Sequence, residues 1–183
     1  MNIIPPWISH IISAQRKESN INSSKWIQLA TIGLDNTPRV RTVVFRGWSE
    51  TYEMKIYTDK RSQKYSELEL NNNVEICWLF SKAKCQFRFR GTSKIELGKD
   101  KLLHWNELNE KVKSMWSWPS PGENYIFDTK YNFSRRTKGD SSHNFSLLKI
   151  YINEVDQLLL HKPIHTRRRW TRINEWVEKR INP

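Results

Sequence analysis

Between Trp26 and Leu97 the chain alternates short β-prone runs with turn residues at close spacing, and that rhythm most constrains its fold. Cys85, Phe87 and Phe89 alternate with Gln86, Arg88 and Arg90, the period-two pattern of a strand with one buried face. Thr92–Leu97 continues that strand. Val74–Phe80 is mostly apolar and predicts a central strand, joined to the next by the turn Ser81-Lys82-Ala83-Lys84. Trp26–Ile32 and Pro38–Arg46 flank Gly33-Leu34-Asp35-Asn36-Thr37. Asp and Asn can bond their own backbone, so this segment predicts a hairpin turn. Met54–Thr58 predicts a third strand, and Phe145–Leu160 returns to strand patterning. Arg167–Ile173 and Trp176–Ile181 predict a final hairpin.

Helical periodicity is confined to three places. Pro6–Lys17 carries Trp7, Ile8, Ile11 and Ile12 on one stripe, with Pro6 suited to a first turn. Ser62–Leu70 has Ser62 as its cap, Tyr65, Leu68 and Leu70 as its apolar side, and Asn71-Asn72-Asn73 as its stop. Asp100–Trp116 is the longest helical pattern, with Leu102, Leu103, Leu108, Val112 and Met115 as core positions. Trp118-Pro119-Ser120-Pro121-Gly122 breaks it, and Asn124 to His143 is polar, basic and poorly periodic, a loop or lid. Seven or eight closely spaced strands with two or three helices favour a mainly β fold. We expect a small barrel with flanking helices, as one domain over residues 1–183.

Lysine and arginine number 31 against 19 acidic residues, giving +12, which directs attention to an anionic partner. Charged residues at 27% fit a soluble protein, and no apolar run approaches the ~20 residues of a membrane span. The N-terminus lacks a secretory pattern, so the expected compartment is the cytoplasm. Cys77 and Cys85 form neither a metal spacing nor a disulfide framework; they are expected to be small buried hydrophobes, and no metal site is expected.

The basic residues with a pattern lie in two neighbouring segments. Arg39-Val40-Arg41-Thr42-Val43-Val44-Phe45-Arg46-Gly47 is a β-branched strand studded with guanidinium groups, which must reach water or an anion. Tyr57-Thr58-Asp59-Lys60-Arg61-Ser62-Gln63-Lys64 runs from a strand end through a polar turn into a helix start, the place where backbone amides favour an anion. Strict alternation puts Arg41 and Arg46 on opposite faces, so a pocket of one chain that uses both needs Arg46 at a kinked strand end.

These residues resemble the pyridoxamine 5'-phosphate oxidase-like, FMN-binding split-barrel family. Arg41 and Arg46 match its arginine strand; Tyr57, Thr58, Ser62 and Lys64 match its phosphate turn; Gln86 and Gly91 match its Gln-x-x-x-x-Gly strand. His165, Arg167, Trp176 and Pro183 match its C-terminal signature, and Trp118-Pro119-Ser120-Pro121-Gly122 resembles that of a subgroup. The resemblance implies an FMN-binding split barrel, a homodimer with flavin at the interface, and flavin-dependent oxidoreduction of a small molecule. It places Arg41, Thr42, Val43, Val44, Arg46, Tyr57, Thr58, Ser62, Gln63, Lys64, Gln86 and Arg167 around the cofactor and His165 toward substrate. No catalytic side chain is identified.

The sequence departs from the oxidase at five positions. Gln63 stands for a second phosphate arginine, Arg46 for a lysine, Pro163 for a substrate-phosphate arginine, and Trp105 and Asn109 lie near its substrate-holding Tyr and Arg. Two other classes use the same composition. One is a nucleic-acid module that sets Trp and Arg against bases and phosphates; the other is a flavin carrier without turnover. The spread of basic residues over separate strands disfavours nucleic acid, and no membrane partner is expected.

Overall fold

The computed structural model describes residues 4–18, 22–124 and 141–183. Most of the loop expected over Asn124 to His143 lies outside them. Among the described residues, eight strands form one sheet: β1 (Trp26–Ile32), β2 (Pro38–Trp48), β3 (Met54–Asp59), β4 (Asn73–Phe80), β5 (Cys85–Glu96), β6 (Phe145–Leu159), β7 (Thr166–Thr171) and β8 (Lys179–Ile181). Their order is β3-β2-β1-β4-β5-β6-β7-β8, and β3 also pairs with β6. Six strands therefore close an antiparallel barrel, and the β7–β8 hairpin extends from its side.

Closure rests on β6, whose 15 residues serve three neighbours. Phe145 to Ile150 pairs with β3, Glu154 to Leu159 pairs with β7, and β5 runs along nearly the whole length. The register with β5 shifts between Arg90 and Gly91. A Cβ on Gly91 would lie 1.9 Å from the Tyr151 carbonyl oxygen, so only glycine allows the strands this close. Inward residues alternate as the sequence predicts: Ile27 and Leu29, Ile76 and Trp78, Phe87 and Phe89 are all essentially inaccessible.

Helix α1 (Trp7–Lys17) buries Trp7, Ile8, Ile11 and Ala14; Ile12 faces outward instead, because Ala14 completes the buried stripe. The Trp7 ring lies 5.5 Å from Trp48 and 5.8 Å from both Phe89 and Trp176. Helix α2 (Gln63–Leu70) inserts Leu68 into the core, while Leu70 is 78% exposed. The long helix expected from Asp100 is broken into α3 (Lys99–Asn106), α4 (Glu110–Lys113) and a 3-10 turn (Ser114–Ser117). Asn109 causes the break by capping α4, its Oδ1 accepting from the Val112 amide at 2.9 Å. Leu102, Leu103 and Met115 stand largely in solvent. The buried face is made by Trp105 and Trp116, which pack with Phe145 and Leu147 as a second small core outside the barrel; Leu108 and Val112 lie at its edge. The rings offer the larger apolar area.

The last hairpin is shorter than its pattern. After β7 the chain makes a 3-10 turn (Arg172–Asn174), and Glu175 and Trp176 adopt left-handed φ of 52° and 63°. Only Lys179–Ile181 returns as strand.

Candidate functional site

Two groups of the expected residues come together, on different faces of the sheet. The first gathers where the inner face of β2 meets the start of α2. Arg41 pairs with Leu29 in register and so shares the inward face with Val43, which is core. The Arg41 Nη2 donates to Glu67 Oε2 at 2.7 Å, and its Nη1 donates to the Thr31 hydroxyl. Thr31 in turn donates to Glu67 Oε2 at 2.6 Å. Lys64 Nζ donates to Ser62 Oγ at 3.1 Å, and the Thr58 and Ser62 hydroxyls lie 3.3 Å apart, both buried. Burial lowers the Lys64 pKa, with the Arg41 charge pushing the same way.

Ser62 occupies the N-cap position of α2 without a side-chain cap bond. Its hydroxyl donates to the Asp59 carbonyl at 2.6 Å instead. An anion at this position would meet Lys64 and the Gln63 and Lys64 amides at the start of α2, and would compete with Glu67 for Arg41. Gln63 faces the adjoining cleft, lined also by Leu34, Asp35, Arg39, Arg61 and Glu67. Arg39 and Arg61 are paired with Asp35 and Asp59, each at 2.7 Å.

The outward face of β2 and β3 holds Thr42, Val44, Arg46 and Tyr57. The Arg46 guanidinium carbon sits 5.1 Å from the centre of the Tyr57 ring. The Tyr57 hydroxyl lies 3.1 Å from His104 Nδ1 on α3. Burial raises the Tyr57 pKa and lowers that of His104, the latter helped by Lys55. Arg41 and Arg46 do point to opposite faces, as alternation requires.

Gln86 and Arg167 form the second group, in a small cleft with Arg88, Asp156 and Leu158. Asp156 is buried yet accepts from three guanidinium groups: Arg88 at 3.0 Å, Arg169 at 2.7 and 3.0 Å, and Arg167. Those hydrogen bonds outweigh burial and hold its carboxyl well below the usual range. Arg90 pairs with Glu75 and Glu154, so this basic face is largely matched by carboxylates. His165 is exposed, one residue before β7. The register runs Val44–Trp26 and then Leu79–Gln86–Leu158–Arg167 across the outer face. Trp26 and Leu79, between the two groups, are 54% and 55% exposed.

The matches with known proteins fall on this frame. Residues 4–96 match the model of the family described as pyridoxamine 5'-phosphate oxidase, FMN-binding domain. The chain belongs to this family. That span holds the arginine strand, the phosphate turn and Gln86, and the cofactor of the family domain is FMN. The chain is 43% identical over 89 residues to pyridoxine/pyridoxamine 5'-phosphate oxidase 2 of Arabidopsis thaliana, covering 48% of this chain and 45% of that protein. It is 30% identical over 123 residues to pyridoxine/pyridoxamine 5'-phosphate oxidase of Psychrobacter sp., covering 66% and 54%. The chain therefore spans about half the length of the curated relatives it matches.

Among solved structures, a pyridoxamine 5'-phosphate oxidase-related, FMN binding protein of Nostoc punctiforme superposes with a TM-score of 0.90 at 27% identity, over 99% of this chain and 100% of that one. PhzG of Burkholderia lata, at 14% identity and a TM-score of 0.78 over 100% and 99%, shares the fold.

Four residues central to this geometry escape a sequence reading: Thr31, Glu67, His104 and Asp156. Glu67 looks like a solvated helical charge three residues after Lys64. Asp156 had a signal: with Glu154 it is one of two carboxylates in a largely apolar strand, facing the alternating Arg167 and Arg169 of the next.

Proposed function

We propose that this protein is an FMN-dependent oxidoreductase of a small molecule, one domain per chain, acting as a homodimer with each flavin held between two chains. The observation that carries the cofactor site is the meeting of Arg41 and Lys64 at the start of α2, beside buried hydroxyls. Two cations and a set of unpaired amides suit a phosphate monoester. Arg46, Tyr57 and Val44 would face the ring side of the flavin from the outer surface of β2 and β3. When bound, FMN supplies the redox chemistry.

The dimer is supported by what one chain separates. Gln86 and Arg167 lie across the sheet from Val44, with exposed Trp26 and Leu79 between them. A large exposed tryptophan next to an exposed leucine favours a protein partner. A two-fold contact through that surface would bring Gln86 and Arg167 of one chain to the Arg46 side of the other, which an isologous interface does twice. Gln86 offers both donor and acceptor to a ring edge, and Arg167 is held rigid by Asp156.

The relatives' names make vitamin B6 phosphates the first substrates to test. Pro163 supplies no side-chain donor there, and His104 with Tyr57 is the polar pair available on the flavin side. The test is direct. Purified protein should be yellow, and the double variant Arg41→Ala, Lys64→Ala should lose most of its flavin; full retention would refute the site. A donor panel then separates turnover from carriage by following flavin bleaching and peroxide release. A colourless protein that binds oligonucleotides would favour the nucleic-acid class instead.

A further inference from the structure

Arg41 already has an anion. Glu67 is 3% exposed, and its Oε2 accepts a hydrogen bond from Arg41 Nη2 and another from the Thr31 hydroxyl. The carboxylate lies on α2 one turn from Lys64, within the electrostatic reach of that ammonium. From the cleft, Arg39 and Arg61 add little field, because Asp35 and Asp59 neutralise them at 2.7 Å. Gln63 adds no charge. Among the described residues, the charge balance around the phosphate position is Arg41 and Lys64 against Glu67. A phosphate monoester brings nearly two negative charges to the same guanidinium. Like charges held a few ångströms apart in a half-buried site repel strongly.

We propose that Glu67 is a resident counter-ion of the flavin-phosphate site, which opposes the phosphate tail and so sets the affinity and tail selectivity of the cofactor. The proposal rests on the flavin reading above. Glu67 keeps Arg41 in one rotamer and satisfied, and Thr31 fixes the carboxylate from the other side. The consequence is that the phosphate adds little to the affinity for FMN over flavins that lack it. The protein would then exchange its cofactor readily, and part of the binding would come from contacts to the ring.

Glu67→Gln removes the charge and keeps an oxygen that can accept from both Arg41 and Thr31. FMN and riboflavin are titrated against apoprotein by fluorescence quenching. Expected is a gain of about tenfold or more in FMN affinity in the variant, with riboflavin unchanged within about twofold. Weaker FMN binding would make Glu67 an orienting support for Arg41 and overturn the proposal. An unchanged FMN affinity, or an equal gain for both flavins, would also overturn it. The wild-type protein gives a second check that needs no variant: FMN should exceed riboflavin by no more than about tenfold, and an advantage on the order of a thousandfold would overturn the proposal. A wild type that binds neither flavin would instead sink the underlying flavin reading.

Discussion

Single side chains set the limits of this barrel. Gly91 tolerates no substituent, because the Tyr151 carbonyl oxygen would sit 1.9 Å from a new Cβ. Neighbouring backbone cannot yield as a flexible side chain would. Gly91→Ala should therefore cost at least about 2 kcal/mol in urea unfolding. Asp156 makes a prediction in pH. Its folded pKa lies below the 3.8 of an ordinary carboxyl, because three guanidinium groups bond the ionised form. A depressed carboxyl contributes stability that is complete above the unfolded value and is lost as pH falls through the folded one. Wild type should thus lose stability steeply below about pH 4, and the difference from Asp156→Asn should shrink over that same range. Chemical unfolding at stepped pH checks both the sign and the window.

At the scale of elements, the decisive feature is a strand shared three ways and a helix that does not form as one piece. β6 closes the barrel with its first half and carries β7 with its second, so one strand joins the two groups of site residues. The 99–118 segment is held by a different device. Trp105 and Trp116 pack at 5.8 Å, edge to face, and each touches Phe145. Arg61 adds bonds to the carbonyls of Trp116 and Trp118 at 3.2 and 3.0 Å. This satellite core lies outside the main one, so its loss should be local. Trp116→Ala should cost about 3 kcal/mol and expose residues 99–118 to proteolysis and fast hydrogen exchange, with the barrel amides still protected. Barrel amides that lost protection in step with that segment would show the two cores to be one unit.

For the whole molecule, the question is how separated half-sites become one. If each flavin draws on two chains, defects on opposite halves should complement. The Arg41→Ala, Lys64→Ala variant and a Gln86→Ala, Arg167→Ala variant should each bind little FMN. Unfolded together and refolded, they should recover about a quarter of the sites, since half of the dimers are mixed and each mixed dimer has one intact site. No recovery in a mixture that forms dimers would place the complete site within one chain.

Local chemistry made much of this visible before any coordinates. Alternation at Cys85–Arg90 assigned the inward face correctly, because a strand's period is fixed by backbone geometry and needs no partner to be read. The same rule separated Arg41 from Arg46. It could not show that Arg41 meets Glu67, a residue 26 positions away, nor that Asp156 gathers arginines from two other strands. Those pairings depend on which strands become neighbours. The 100–116 pattern misled for a related reason: leucines mark a helical face, but the wall opposite, made by Phe145 and Leu147, chose Trp105 and Trp116. The chain's own residues fixed the strands, their faces and the basic segments. The tertiary structure alone decided which charges meet, because pairs between strands, or between a strand and a helix, exist only once register and packing are set.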